Sequence, residues 1–334
     1  MPSGFTLLLI VVLVLAVAFD YANGFHDTAN AIATSVSTRA LRPHYAILMS
    51  AAANFIGALT GTAVATTIAK GIATTPTGDG GQIVVAAALV GGIVWDVVTW
   101  RLGIPSSSSH ALIGGLIGAA IAATGVDALN LAGIFNKVIV PLVLSPILGV
   151  VVGFAVMVVL LNVFRRAHPR ALNERFRRLQ ILSAAYMAFS HGSNDAQKTM
   201  GIVTLALVAG GILAQPVVPV WVILMAATAM ALGTAAGGWR IIRTMGQRVV
   251  KLDPVHGFAA ETTAATIIVG ASLFGMPVST THVISSAIMG VGASDRFSAV
   301  RWGVAGNIVV AWILTIPASA IVAWLAWEVL SRVL

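Results

Sequence analysis

Two adjacent ionisable residues, His26 and Asp27, lie in a stretch of sequence that is otherwise nearly all apolar. They belong to the run Gly24–Asn30, which follows a strongly apolar run from Phe5 to Phe19. Ionisable groups at membrane depth are costly, and they usually face a cavity and mark a functional site. The pattern therefore predicts that a membrane helix breaks at Asn23-Gly24 and that the residues after the break line such a cavity.

This run and a second motif both return in the second half of the chain. Gly192–Lys198 repeats the first run, with Asp195 in the place of Asp27. Pro277–His282 repeats Pro105–His110, a proline followed by hydroxyl residues, at nearly the same separation along the chain. Two motifs that return in the same order at nearly one offset indicate that the chain was built by internal duplication.

The composition is that of a polytopic all-α membrane protein with no separate soluble domain. Of the 334 residues, 58% are hydrophobic and 9% are charged, with a mean hydropathy of +0.96, whereas soluble domains carry about 25% charged residues. The net charge of +8 is explained by basic loops on one side of the membrane, so we expect no nucleic-acid partner. The absence of cysteine excludes disulfides, thiolate metal sites and cysteine nucleophiles. The apolar N-terminus is interpreted as a first span and not as a cleaved signal peptide.

Ten apolar segments are long enough to cross about 30 Å of hydrocarbon, or nearly so. They lie at 4–38, 44–69, 82–101, 107–124 and 134–164 in one half, and at 179–213, 218–243, 256–274, 279–293 and 300–330 in the other. The two repeats are therefore placed at 1–164 and 179–334, and the basic linker 165–178 is expected to be a solvated cytoplasmic loop. Segments 107–124 and 279–293 are short and suggest re-entrant or half-helices, which can change the number of crossings by two.

The distribution of basic residues predicts the orientation. With the N-terminus outside, all of the 19 Lys and Arg residues fall on the inside except Lys70, Lys137, Lys198 and Arg332. This is the bias that the positive-inside rule expects of a protein in the plasma (inner) membrane. Five crossings per half is an odd number, so the second repeat is inverted and both termini lie outside. Inverted repeats with a site at their interface are a common plan of transporters.

The hydroxyl motifs are candidate anion sites. Each one follows a proline and opens an apolar segment, as expected of a helix start with a Ser or Thr cap. A helix start offers unpaired N–H groups and the positive end of the helix dipole, which together attract anions. Two facing starts can therefore wrap a tetrahedral oxyanion with the hydroxyls of Ser107, Ser108, Ser109, Ser279, Thr280 and Thr281. The alternative is ordinary capping and packing between membrane helices.

The carboxylates of Asp27 and Asp195 would repel such an anion. The conflict is resolved if they hold a co-transported cation, either Na⁺ beside unwound backbone carbonyls or a proton. The cation then neutralises the carboxylate and favours anion binding, which is symport argued from charge balance. The alternative is that each Asp caps the half-helix that follows it.

Further ionisable residues lie within or beside the motifs, and each has a structural alternative. Asp96 and Glu261 fall inside apolar segments, where they either pair with a polar neighbour or take part in function. Lys198 is a candidate counter-charge to a carboxylate or to the anion. His110 and His282 follow the hydroxyls and either pack or bind.

At these residues the chain resembles the inorganic phosphate transporter (PiT) family, in particular its bacterial low-affinity phosphate permeases. Members share a Gly-x-Asn-Asp type motif and a Pro-x-Ser-x-x-His type motif in each of two inverted halves. The similarity is most specific in Asn23–Asn30 and Ser190–Asp195, and it extends over nearly the whole chain. The resemblance implies inorganic phosphate bound near the membrane midplane by the hydroxyl motifs, with cations at the Asp motifs.

Carried over residue by residue, the resemblance implies two sets of ligands. The phosphate set is Ser107, Ser108, Ser109, Ser279, Thr280, Thr281 and Asn194. For the cation, the resemblance implies Asp27 and Asp195, helped by Asn30 and Asn194. The chemistry of the residues themselves adds His26 and Glu261 as candidates for cation coupling. A Na⁺ bound at Asp27 and Asp195 is the only metal implied, with no other cofactor, and the family is often dimeric.

The departures from the family pattern bear on the coupling ion. His26 replaces the Asn that precedes Asp in many members, while Asn194 retains it. Imidazole offers no carbonyl oxygen to Na⁺ but titrates near physiological pH, and the bacterial permeases are typically proton-coupled. We therefore expect a proton-coupled phosphate importer that works by alternating access, with sodium coupling as the alternative.

Three other functions are weighed against this expectation. A sulfate symporter is an alternative because the family includes sulfate permeases, although acceptors such as Asp27 favour phosphate, which can donate a hydrogen bond. An anion channel would need no coupling carboxylates. A membrane enzyme is not expected, because no Ser-His-Asp order repeats and no metal-binding His pair occurs at helical spacing.

Overall fold

The expected all-α architecture is confirmed by a computed structural model, which describes residues 6–71 and 76–333. The first residues of the predicted segment 4–38 lie outside this range. The helices of the first half are α1 (Leu7–Ser37), α2 (Pro43–Ala58), α3 (Ala63–Gly71), α4 (Asp79–Leu102), α5 (Ser108–Thr124), α6 (Leu131–Ile134) and α7 (Val140–Val163). A π-helical turn, Phe135–Ile139, joins α6 to α7.

The second half repeats this order. Its helices are α8 (Pro169–Ala209), α9 (Val220–Ala236), α10 (Trp239–Arg243), α11 (Pro254–Leu273), α12 (Thr280–Asp295) and α13 (Trp302–Val333). A π-helical turn, Thr244–Arg248, extends α10. Each of the ten predicted segments corresponds to one helix or to one interrupted pair, so the chain consists of two inverted-topology repeats of five.

The discontinuous helices occupy the same place in both repeats. The chain bends by 67° between α2 and α3, and by 62° between α9 and α10. In the described part of the chain, four helices are long and apolar enough to cross a membrane, or up to six if each bent pair is one span. The predicted ten crossings are thus ten helical segments, several of which are too short or too polar to be identified as spans by composition.

Local sequence explains where the helices next to the hydroxyl motifs begin and end. Gly103 and Gly275 adopt φ angles of +67° and +64°, which an L side chain rarely adopts, and so turn the chain out of α4 and α11. The prolines that follow cannot continue a helix, and Ser107 and Ser279 then cap α5 and α12. The same sequence of a glycine that ends one helix, a proline, and a serine that caps the next helix occurs in both halves.

Small residues allow the two repeats to interleave. A Cβ on Gly118 would collide with the carbonyl of Ala320, so α13 packs backbone to backbone on α5. In the same way, Gly290 brings α12 against the Val150 carbonyl of α7. The last helix of each half therefore packs on the short helix of the other half, and neither repeat forms a core of its own.

The predicted helix break at Asn23-Gly24 is wrong, because α1 and α8 run without interruption through both Asp motifs. The glycines serve close packing instead: Gly24 abuts the Met230 carbonyl of α9, and Gly192 abuts the Asn54 carbonyl of α2. Two consequences follow for the site. No unwound carbonyls are available beside Asp27 and Asp195, and neither Asp caps a half-helix.

The linker also differs from its prediction as a solvated loop. Helix α8 begins at Pro169, so most of the segment 165–178 is helical and continuous with the second repeat. Proline suits the first position of a helix, and the Arg, Ala, Leu and Glu residues after it are good helix formers. The charged side chains of Arg170, Glu174 and Arg178 remain exposed on this extension.

Candidate ion and anion site

The two Asp motifs meet where α1 packs on α8. His191 Nε2 lies 3.1 Å from Asp195 Oδ2 and 3.8 Å from Asp27 Oδ2, so one imidazole bridges the carboxylates of both halves. One ligand atom from each of these residues lies within 4.8 Å of the others, and all three side chains are buried. The structure thus brings Asp27 and Asp195 together, and the cluster has the donor atoms and spacing to hold a cation.

The carboxylate of Asp27 has its nearest polar partner in the first repeat. His26 Nδ1 lies 2.6 Å from Asp27 Oδ1, and the other ring nitrogen lies 3.1 Å from Thr99 Oγ1 on α4. The Ser106 hydroxyl donates to the same Thr99 oxygen at 2.9 Å. A continuous polar chain therefore runs from the carboxylate through His26 to the start of the hydroxyl motif.

Asp195 is compensated by a buried lysine. Lys198, only 1% exposed, forms an ion pair with Asp195 and also donates to the Ser109 hydroxyl and to the Val278 carbonyl. An unpaired ammonium or carboxylate in such a place would cost several kcal/mol. Lys198 is therefore the counter-charge of Asp195 and at the same time ties α8 to both hydroxyl motifs.

The hydroxyls of the two motifs have different partners. Ser107 and Ser279 accept from the third backbone N–H of α5 and α12, each at 3.2 Å, so capping accounts for these two. Thr280 donates to Asp195 Oδ2 at 2.8 Å, and Thr281 Oγ1 lies 3.4 Å from Asp27 Oδ1. The Ser108 hydroxyl is buried beside the carboxyl of Asp96 and makes no hydrogen bond of good geometry with the described residues.

The two helix starts face each other across the interface of the repeats. The rings of His110 and His282 lie 4.9 Å apart, and His282 stacks on Trp312 at 4.0 Å. Both histidines therefore pack at the meeting point of α5 and α12.

Each Asp motif also reaches the hydroxyl motif of the opposite half. Asn30 donates to Thr281 Oγ1 at 2.9 Å, just as its equivalent, Lys198, donates to Ser109. The candidate anion and cation residues are consequently shared between the halves, and neither half holds all of them.

Two residues of the predicted set have their hydrogen bonds elsewhere. The Asn194 amide donates to Ser272 Oγ at 2.7 Å and to the Met276 carbonyl at 3.3 Å. Glu261 accepts from Thr34, Ser183 and Gln180, in a polar cluster of its own between α11, α1 and α8. The assignment of Asn194 to phosphate and of Glu261 to cation coupling remains a prediction.

Sequence reasoning missed one member of the cluster and left a second undecided. When Gly192 is aligned with Gly24, His191 falls in the place of Asn23, and its bridging position depends on a carboxylate from the other half. Asp96 is 1% exposed and lies near His26 and Asp27, and its nearest polar neighbour is Ser108, with which it makes no hydrogen bond of good geometry. In the sequence, the only indication that Asp96 belongs near the site was its position within an apolar segment.

Inverted repeats that enclose a buried, charge-compensated cluster at their interface are a common plan of transporters. The family model described as "Phosphate transporter family" matches residues 23–173 and 163–323 of this chain. The "Probable low-affinity inorganic phosphate transporter" of Bacillus subtilis (strain 168) is 49% identical over 328 residues, 98% of either chain. The protein so named in Rhizobium meliloti (strain 1021) is 48% identical over 325 residues, 96% of either chain.

A solved structure described as "The sodium-dependent phosphate transporter" is similar in fold, with a TM-score of 0.90 and 25% sequence identity. The match covers 98% of this chain and 100% of the other. The protein belongs to the phosphate transporter family, and it is a transporter and not an enzyme.

The ion pair inside the site predicts a measurable stability effect. Lys198→Ala removes the lysine counter-charge of the buried Asp195 and leaves His191 as its remaining ionisable partner, and it should lower the free energy of unfolding by about 3–5 kcal/mol. Replacing both charges, as Lys198→Met with Asp195→Asn, should recover most of this loss. Reversible unfolding in detergent measures the loss in the single variant and the recovery in the double variant. Arg332→Ala, which breaks the exposed pair with Glu328, is the control and should cost less than about 1 kcal/mol. A loss for Lys198→Ala as small as that of the control would contradict the assignment.

Proposed function

We propose that this protein imports inorganic phosphate together with a proton, by alternating access around the site between the repeats. The observation that carries the proposal is the direct contact between the two carboxylates and the hydroxyls of α12. Thr280 and Thr281 direct their hydroxyl protons toward Asp195 and Asp27. A cation that neutralises these carboxylates releases the hydroxyls to donate to an anion, so the binding of one ion favours the binding of the other.

The anion would be held by groups from both halves. The first-turn N–H groups of α5 and α12 and the hydroxyls of Ser108, Thr280 and Thr281 supply donors. Lys198 supplies a fixed positive charge that touches a hydroxyl motif. These donors suit a tetrahedral oxyanion, and all of the side chains are buried, so the substrate would be released only when the repeats move relative to one another.

Phosphate fits this site better than sulfate. The carboxylates of Asp27, Asp195 and Asp96 are hydrogen-bond acceptors, and protonated phosphate can donate to them, whereas sulfate at neutral pH cannot. The relatives described above are named for phosphate, which gives no support to the sulfate alternative.

His26 supports the proton as the driving ion. It lies between Asp27 and the Thr99–Ser106 pair, so its ring can pass a proton between the carboxylate and the hydroxyl motif. Imidazole is suited to this because its ordinary pKa lies near physiological pH.

Sodium is the second candidate, and a specific feature favours it. The oxygen atoms of Asp27 and Asp195 converge with His191 on one point, and Thr280 and Thr281 add oxygen ligands. The solved relative is named as sodium-dependent. In this arrangement Na⁺ would take the place between the carboxylates and would couple to phosphate through the same hydroxyls.

The orientation and assembly are part of the proposal. Basic residues favour loops on the cytoplasmic side of the plasma (inner) membrane and both termini outside. Homodimer formation, which the resemblance to the family implies, stays a prediction.

The anion site predicts an effect of hydroxyl removal. Ser108→Ala and Thr280→Ala should each weaken phosphate binding, because a hydrogen bond to a charged group contributes about 1.5–3 kcal/mol. The double variant should lose roughly a hundred-fold or more in apparent affinity, measured as concentration-dependent uptake of radiolabelled phosphate into proteoliposomes. Ser294→Ala is the matched control, since this hydroxyl bonds the Val291 carbonyl at the far end of α12. An unchanged apparent affinity in the double variant would refute the site.

The driving ion is tested by His26→Asn, which recreates the Asn-Asp pair of the second repeat. Uptake by the unmodified protein should follow an imposed proton gradient with little need for sodium, and His26→Asn should flatten its dependence on pH. Both the driving ion and the pH dependence are measured as uptake at fixed membrane potential across about pH 5.5 to 8, with and without sodium. His44→Asn, on an exposed histidine of α2, is the control. Strict sodium dependence of the unmodified protein would favour the second candidate instead.

A further inference from the structure

Four arginines line a single cavity away from the buried site. The cavity has a volume of about 240 Å³ and lies where the end of α4 meets α10 and the π-helical turn after it. Its walls are Arg101, Leu102, Gly103, Trp239, Arg240, Arg243, Thr244 and Arg248. The lining contains no carboxylate, and none of the four guanidinium groups forms an ion pair with a residue that the structure describes.

One wall of this arginine cavity is held in place by the protein itself. Arg240 Nη1 donates to the Arg101 carbonyl, and its guanidinium lies 5.4 Å from the centre of the Trp100 ring. Thr244 Oγ1 donates to the Gly103 carbonyl at 2.8 Å, which fastens the turn after α10 to the end of α4. The positive charges are thus gathered on a fixed backbone, while the guanidinium groups of Arg243 and Arg248 make no contact of this kind with the described residues.

The second repeat provides an internal comparison. The cavity at the end of α11 and the start of α3 corresponds to it in part and is also lined by α8. Its lining contains no charged residue and consists of Thr60, Gly61, Ala63, Phe189, Ser193, Gln197, Val269, Ser272 and Leu273. When Pro277 is aligned with Pro105, Leu273 falls in the place of Arg101. The duplicated fold therefore does not require arginines here. The positive-inside rule explains which side of the membrane is basic, but not why four guanidinium groups converge on one cavity.

The arginine cavity is close along the chain to residues of the buried site. Gly103 in its wall is followed within four residues by Ser107, the cap of α5. Arg101 is two residues from Thr99, the partner of His26. An anion in the cavity would therefore lie only a few residues along the chain from the hydroxyl motif of the first repeat.

We propose that the arginine cavity binds a phosphate group, as an anion site separate from the buried one. Guanidinium groups bind phosphate oxygens through two parallel N–H donors, and several guanidiniums without a carboxylate partner around one cavity favour a doubly charged group. Two sources supply this chemistry: free inorganic phosphate, or the headgroup of an acidic phospholipid. Only the first source rests on the proposed function.

The test removes the two arginines that hold neither the α4 carbonyl nor the Trp100 ring. Arg243→Gln with Arg248→Gln is compared with Arg170→Gln with Arg178→Gln, which removes the same charge from the exposed start of α8. Thermal unfolding of each purified protein checks that both variants fold. Both retain the buried site, so any difference between them reports the cavity alone.

Two arms distinguish the sources. The first measures the binding of inorganic phosphate by calorimetry in nanodiscs of phosphatidylcholine. The second measures the retention of phosphatidylglycerol from mixed vesicles by mass spectrometry of the intact protein. We expect the cavity variant to bind at least about tenfold more weakly than the control variant in one arm, and that arm identifies the source. Equal binding of the two variants in both arms would overturn the proposal, whereas failure of the proposed function would appear as a lack of phosphate uptake by the unmodified protein.

Discussion

The structure depends on partners that compensate the negative charge of two carboxylates buried in a membrane-embedded core. Asp27 and Asp195 would each cost several kcal/mol if left alone there. His26, His191 and Lys198 supply the compensation, and His191 contacts both carboxylates. Because these partners lie on α1 and α8, these two long helices must pack against each other at their Asp motifs, and Gly24 and Gly192 permit the close packing of the helices around them.

The same compensation links the two kinds of ligand. Thr280 and Thr281 contact the carboxylates and also stand at the start of α12. In the proposed transport cycle, these hydroxyls therefore become free to donate to an anion only when the carboxylates have another partner. Lys198 and Asn30 carry the connection across the repeats to α5 and α12. Relative movement of the repeats would therefore change the surroundings of both ligands at once, as alternating access requires.

The sequence predicted the features that depend on local chemistry, and it failed for the features that depend on contacts with residues distant along the chain. The ten segments, the duplication and the helix starts after Pro105 and Pro277 follow from hydropathy and capping, which act over a few residues. The predicted helix break at Gly24 was wrong. A glycine that ends a helix and a glycine that allows close packing on another helix look alike in the local sequence, and Gly24 packs on the Met230 carbonyl of α9. His191 was missed for a similar reason, since half of its environment comes from the other repeat. Asn194 and Glu261 are buried where predicted, but their partners on other helices were not visible in the sequence.

Neutralisation of the carboxylate cluster is the step that couples the cation to the anion in the proposed transport cycle. Asp27→Asn removes the charge that the cation compensates and keeps the shape of the side chain. The most direct measurement compares two rates for this variant in proteoliposomes: phosphate uptake driven by an imposed cation gradient, and exchange of labelled for unlabelled phosphate without a gradient. If the carboxylate provides the coupling, driven uptake is lost while exchange persists. Driven uptake at the rate of the unmodified protein would contradict this role of Asp27.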